Sequence, residues 1–153
     1  MEVREPAAPV VQAASLLSPG RALDLACGTG RHAIWLHQHG WNVTAIDRNA
    51  EAVADLQHHY PAIDSRVADL ETDFRIDPNA YDLVVCWLYL QRDLYPQIRA
   101  ALRPGGIAAL CALLYGRFAA EPRELQRYFP GCTILHELET DRVTELLVKS
   151  SIG

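Results

Sequence analysis

The stretch 23-LDLACGTGRHA-33 constrains this chain more than any other part of it. An apolar run breaks into two glycines one residue apart and then becomes a helix-like sequence. Gly28 and Gly30 allow the backbone to approach a ligand closely, and the helix that follows presents a positive N-terminus to it. A second apolar run, 43-VTAID-47, ends in an acid a short distance behind. Such a strand, glycine turn and helix make the opening unit of a parallel α/β sheet with a ligand at its edge. The spacing Gly28-x-Gly30-x-x-Ala33, with Asp47 as a ribose-binding acid, satisfies the dinucleotide fingerprint, but taken alone that match is weak.

The rest of the chain alternates strand and helix. Residues 7–17 read as a helix ending at Ser18-Pro19-Gly20, 22–26 as the first strand, and 31–39 as a helix closed by Gly40. Residues 41–47 form the second strand. Asn49 caps a helix running to about Tyr60, where Pro61 stops it. A weak third strand covers 63–68. Residues 81–88, YDLVVCWL, are apolar without alternation, as a central parallel strand buried on both faces should be. A helix over 93–102 stops at Pro104-Gly105-Gly106, strand five covers 106–114, and 122–129 reads as a short helix. Residues 132–139 and 142–150 alternate clearly. Only Thr140 and Asp141 separate them, so they must pair antiparallel. The expected fold is α/β: one domain over 1–153 with a doubly wound, mostly parallel, seven-stranded sheet closed by an antiparallel C-terminal hairpin. The crossover between strands three and four has only residues 69–80, with Pro78 inside, so its helix is expected to be vestigial.

Composition excludes several classes of function. A chain of 153 residues, half of them hydrophobic, can bury one proper core. A net charge of -5 argues against a nucleic-acid surface. No run of eighteen apolar residues is present, so no membrane span is expected. The start MEVREPAAPVV lacks a signal-peptide layout, and Cys27, Cys86, Cys111 and Cys132 lie far apart, three of them in apolar runs. Reduced thiols and a cytoplasmic location are the expectation. The pairs His37/His39 and His58/His59 lack the spacing that brings two imidazoles to one helix face, so no metal site is expected.

Asp24 and Asp69 separate the two readings of the glycine turn. Asp24 sits inside strand one, where the dinucleotide pattern prefers apolar residues. A buried carboxylate is costly there unless it meets a polar or cationic partner, which an amino-acid-like ligand would supply through its ammonium. Asp69, in 67-VADLE-71, ends strand three where an acid could accept from an adenine amino group. The closing hairpin is foreign to the usual dinucleotide fold.

With these residues in view, LDLACGTGR, VTAID, VADLE, YDLVVCWLYL and LRPGG resemble the successive motifs of class I S-adenosylmethionine-dependent methyltransferases. The resemblance runs from about Ala22 to Lys149 and is nearest in flavour to small-molecule enzymes of the tellurite-resistance type. It departs at Ala26, where many members carry glycine. Carried over by position, it implies that Asp24, Cys27, Gly28, Thr29 and Gly30 wrap the methionine part of the cofactor. Asp47 takes the ribose hydroxyls with Arg48 beside it, Asp69 and Leu70 meet the adenine edge, and Cys86 and Trp87 lie next to the sulfonium. The implied reaction is methyl transfer to a small-molecule acceptor. Tyr89, Arg92 and Asp93 are the only polar groups placed to assist it, although Asp93 reads better as a helix cap. Between Leu114 and the next helix lie only residues 115–121, so the cleft is expected to be open. That openness favours two further expectations: a homodimer or other partner over the rim near Tyr89 and Phe118, and, as the alternative function, a non-catalytic cofactor-binding or partner-binding module.

Overall fold

The computed structural model describes residues 3–72 and 74–151. In chain order the elements are α1 (Ala8–Ser15), β1 (Arg21–Leu25), α2 (Arg31–Gln38), β2 (Asn42–Asp47), α3 (Ala50–His59), β3 (Asp64–Val67) and β4 (Tyr81–Trp87). They continue with α4 (Leu94–Ala101), β5 (Leu102–Leu113), a 3-10 turn (Leu125–Tyr128), β6 (Thr133–Glu139) and β7 (Val143–Lys149). The seven strands form one sheet in the order β3-β2-β1-β4-β5-β7-β6. Strands β1 to β5 pair in parallel, while β5 with β7 and β7 with β6 pair antiparallel. This is the expected doubly wound sheet with its reversed closing hairpin.

The sheet separates two cores. Successive residues of β4 alternate between them: Val84 and Cys86 face one layer, while Leu83, Val85 and Trp87 face the other. That is why the segment carries no polar side: both of its faces are covered. On the first face lie Leu94, Tyr95 and Ile98 of α4 with Leu125 and Phe129. On the second lie Val10 and Ala13 of α1, Ile34 and Leu36 of α2, and Leu56 of α3. Helices α2 and α4 thus leave the sheet on opposite faces, after adjacent strands β1 and β4. The boundary between those strands is the switch point, where ligands sit in sheets of this kind.

Several boundaries differ from the sequence reading for identifiable reasons. Strand β5 starts at Leu102, because Leu102 pairs with Tyr81 before the Pro104-Gly105-Gly106 segment bulges out and pairing resumes at Leu83↔Ile107. The helix expected over 122–129 shrinks to the 3-10 turn. Arg123 takes a left-handed φ of 57°, and the Glu124 side chain bonds elsewhere. The hairpin turn is longer by one residue than expected: Thr140 N donates to Val143 O, and the Thr140 hydroxyl accepts from Arg142 N and Val143 N. Asn49 caps α3, accepting from Glu51 N and Ala52 N at 3.1 Å each. Asp93 stands at the N-cap position of α4 but makes no side-chain cap bond, because its backbone is already helical. Among the described residues between β3 and β4 there is no helix.

Candidate functional site

A cleft of about 480 Å³ opens at the carboxyl ends of five parallel strands. Ala26 follows β1; Asp47 and Arg48 end β2; Ala68, Asp69, Leu70 and Glu71 follow β3. Leu88, Tyr89 and Leu90 follow β4, and Leu113 and Phe118 come from the end of β5 and the loop beyond it. Read along the sheet, the β2–β3 end of the cleft carries its charges and the β4–β5 end is apolar.

Two of the four left-handed non-glycine residues among those described fall at the division between these halves. Ala26 has φ 53° and Leu88 has φ 58°, both in the left-handed region that non-glycine residues avoid, and they follow the adjacent strands β1 and β4. Outliers of this kind cost roughly 1–2 kcal/mol each and mark functional sites when the surroundings hold them in place. Ala26 is the position where the sequence departs from the glycine usual in the family it resembles. Its φ shows why glycine suits that position. At Leu88 the turn brings residues 88–90 to the cleft, whereas Cys86 and Trp87 point into the two cores, 0% and 9% exposed.

The glycine turn is held by carboxylates. Asp24 is buried, and its Oδ2 accepts from Ala33 N, at the third residue of α2, at 3.0 Å. Gly30, the N-cap residue, has no side chain to cap the helix, so strand β1 supplies the acceptor. Burial pushes the Asp24 carboxyl from 3.8 up to about 7, although the Ala33 bond and the nearby Arg31 charge pull the other way. Asp47 accepts from Gly28 N through Oδ2 and from Asn49 N through Oδ1, each at 2.9 Å, so it ties the turn to the start of α3. A Cβ on Gly30, at φ 90°, would lie 2.9 Å from Leu56 Cδ1. At Gly28, φ 56°, a Cβ would meet nothing within 4 Å. Gly30 serves packing of the turn on α3, and Gly28 leaves open space in front of the backbone. Cys27 is partly buried, with Sγ 3.6 Å from Gly28 O, and burial raises its thiol pKa; Thr29 is exposed.

Of the residues singled out from sequence, the cleft brings together Asp47, Arg48, Asp69 and Leu70. Asp24, Cys27, Gly28, Thr29 and Gly30 build the adjoining turn. Asp69 Oδ1 accepts from Glu71 N at 2.9 Å, which fixes the loop after β3. Arg92 is not part of the cleft lining and pairs with Glu124.

Three residues that the sequence did not flag organise the site. Gln91 is buried, donates from Nε2 to Leu70 O at 2.9 Å and accepts from the Tyr89 hydroxyl at 2.7 Å, which joins the two cleft walls. Glu124, 2% exposed, accepts from Arg92, Tyr128 and Glu121 N. His32 is 4% exposed and accepts from Ala7 N at 3.1 Å, which anchors the segment before α1. Burial brings His32 down to about 4, so it is neutral and serves as an acceptor. Each makes contacts far away in sequence, and no local pattern signals them. Helix α1 packs on the face of β4 and β5 and leaves Leu88, Tyr115 and Phe118 exposed at the rim. The described residues contain no cluster of metal-binding side chains and no helix long and apolar enough to cross a membrane.

Residues 22–106, more than half of the chain, match the family described as a methyltransferase domain. The chain is 33% identical over 95 residues to a probable S-adenosyl-L-methionine-dependent methyltransferase, TehB, of Haemophilus influenzae, covering 58% of this chain and 33% of that protein. It is 30% identical over 111 residues to the malonyl-[acyl-carrier protein] O-methyltransferase of Pectobacterium atrosepticum, covering 70% of this chain and 44% of that protein. It therefore spans between a third and a half of the length of these two relatives. The crystal structure of TehB from Haemophilus influenzae superposes with a TM-score of 0.80 at 23% identity, covering 93% of this chain and 61% of that one. The chain belongs to the methyltransferase-domain family, and S-adenosylmethionine is the cofactor that this membership implies.

Proposed function

We propose that this domain binds S-adenosylmethionine across the switch point and transfers its methyl group to a small-molecule acceptor. The observation that carries the reading is the division of the cleft. Charged groups for a nucleoside lie at β2 and β3, an apolar floor for an acceptor lies at β4 and β5, and the glycine turn stands between them. The open space before Gly28 supports the fit, since a ligand can reach the backbone there without displacing protein atoms.

In this reading Asp47 and Arg48 hold the ribose side, Asp69 and Leu70 the adenine edge, and the Asp24–Gly30 turn the methionine part. Asp24 has a proton to give up: an ammonium close to it would favour the ionised carboxylate that burial disfavours. Cys86 and Trp87 support the site from beneath through the turn at Leu88. The bound cofactor supplies an activated methyl group, so the residues of the chain need only orient the partners and exclude water. Gln91 contributes by fixing the β4 wall against the β3 wall.

A second reading is favoured by one feature. Leu88, Tyr115 and Phe118 are 48%, 47% and 74% exposed, so the described residues leave this rim uncovered. A non-catalytic cofactor-binding module, or a homodimer closing the rim, would account for that. Calorimetry with S-adenosylmethionine followed by turnover with small thiol, oxyanion and amine acceptors tests the enzyme reading. Binding without turnover of any acceptor favours the module. Sedimentation of the wild type and of Phe118→Asp tests the dimer, and a monomer in both removes it. A cytoplasmic location is proposed alongside, on the strength of four free cysteines.

A further inference from the structure

The apolar half of the cleft has two walls, and an ion pair, exposed at Arg92 and buried at Glu124, joins them. Leu88, Tyr89 and Leu90 follow β4; Leu113 and Phe118 belong to β5 and the loop after it. Arg92, two residues beyond the first wall, donates from Nε to Glu124 Oε2 at 2.7 Å and from Nη2 to Oε1 at 3.0 Å. Its Nη2 also reaches Ala119 O at 3.4 Å, beside Phe118. Glu124 accepts in addition from the Tyr128 hydroxyl at 2.6 Å and from Glu121 N at 2.9 Å. A two-pronged arginine–carboxylate pair with further donors is geometrically stiff. It clips the loop that carries Phe118 to the segment that carries Tyr89.

Chemistry narrows what fits between these walls. Among the described residues that line the cleft there is no histidine, and the Tyr89 hydroxyl spends its proton on Gln91 Oε1. Burial, with Glu71 nearby, pushes that phenol up to about 12, so it stays protonated and cannot serve as a base. The three carboxylates Asp47, Asp69 and Glu71 outnumber Arg48 at the β2–β3 end, where the net negative charge would repel an oxyanion and keep an ammonium protonated. An acceptor at the β4–β5 end must therefore bind through apolar surface and release its own proton near neutral pH. A thiol does so with an ordinary pKa of about 8.5 or below; an alcohol or alkylamine does not.

Resting on the methyl-transfer reading above, we propose that Leu88, Tyr89, Leu90, Leu113 and Phe118 form an acceptor slot for a flat apolar thiol. The Arg92–Glu124 pair is the positioning element that sets its width. The thiol gives its proton to water. Its sulfur then forms a bond to the methyl carbon as the bond from that carbon to the sulfonium sulfur breaks. The bonding pair stays on the departing thioether, so no oxidant, reductant or protein base is consumed.

The test is calorimetry on the full chain loaded with S-adenosylhomocysteine, titrated with naphthalenethiol and, for comparison, mercaptoethanol. Naphthalenethiol is expected to bind at least about tenfold more tightly, since only its rings can bury apolar area in the slot. Phe118→Ser should weaken naphthalenethiol by about fivefold and leave S-adenosylhomocysteine unaltered. Phe118 is so exposed that loss of folding is not a concern. In turnover assays Glu124→Gln should raise the KM for the thiol by about tenfold, more than it lowers kcat, whereas a general loss of structure would lower both kcat and cofactor affinity. Equal affinity for the two thiols, or no effect of Phe118→Ser, overturns the slot while the cofactor reading stands. Failure of S-adenosylhomocysteine itself to bind overturns the methyl-transfer reading, and the slot falls with it.

Discussion

Asp24→Asn exchanges one heavy atom beside the glycine turn, and its effect on stability follows from burial. In the folded chain the carboxyl holds its proton to about pH 7, against 3.8 when unfolded. Across that window the folded state binds more protons than the unfolded state, so stability falls as pH rises. At about 1.4 kcal/mol per pH unit, the rise corresponds to roughly 4 kcal/mol, fully present below the unfolded value and lost above about pH 7. Asparagine is neutral at every pH and keeps an oxygen for Ala33 N. The variant should therefore match the wild type in acid and exceed it by up to roughly 4 kcal/mol at about pH 8. His32 works in the opposite direction. Its folded value of about 4 lies below its ordinary 6.5, so its contribution is present above 6.5 and is lost as pH falls toward 4. Subtracting the two unfolding curves cancels His32 and leaves Asp24. Urea unfolding of the apo protein at steps between about pH 4 and pH 8 gives the difference directly. Parallel curves, or a variant weaker than the wild type at high pH, would refute the assignment of the raised carboxyl. In the same variant S-adenosylmethionine should bind more weakly, with the pH dependence of its affinity near 7 removed.

Asp47→Ala strands two backbone donors, Gly28 N and Asn49 N, and should weaken cofactor binding by about 1–3 kcal/mol with α3 intact under its Asn49 cap. Lost helicity by circular dichroism at unchanged affinity would make Asp47 purely structural. Ala26→Gly releases a left-handed φ worth about 1–2 kcal/mol but adds unfolded-state freedom worth roughly 0.5–1, so thermal unfolding should show a small gain, and a clear loss would count against the strain. Glu124, held near 2 by its Arg92 bonds against an ordinary 4.5, contributes stability that is present above pH 4.5 and lost as pH falls toward 2. Acid titration of Glu124→Gln should lack that step.

Periodicity made the strand order and the hairpin legible, because the apolar run of β4 and the alternation of β6 and β7 are local patterns. The strand-end acids could be located the same way: Asp47, Asp69 and their neighbours sit at the carboxyl edge because the strands stop there. What could not be read is which residues after β4 line the cleft. That depends on a leucine adopting φ 58° at position 88, a conformation for which its sequence has no preference, and the turn brings 88–90 to the cleft while Cys86 and Trp87 serve the cores. The ties made by Glu124, Gln91 and His32 span 32, 21 and 25 residues, distances at which a single sequence carries no pairing signal. The short helix expected over 122–129 failed for a related reason, since Glu124 is committed to Arg92 and Arg123 turns left-handed before the helix can begin.

Everything proposed for the cleft depends on which ligand the glycine turn holds, and paired calorimetric titrations with S-adenosylmethionine and with a nicotinamide dinucleotide decide it. Micromolar-range binding of S-adenosylmethionine, about -8 kcal/mol at one micromolar, is expected, with no measurable heat from the dinucleotide. Tight binding of the dinucleotide with none of S-adenosylmethionine would contradict it.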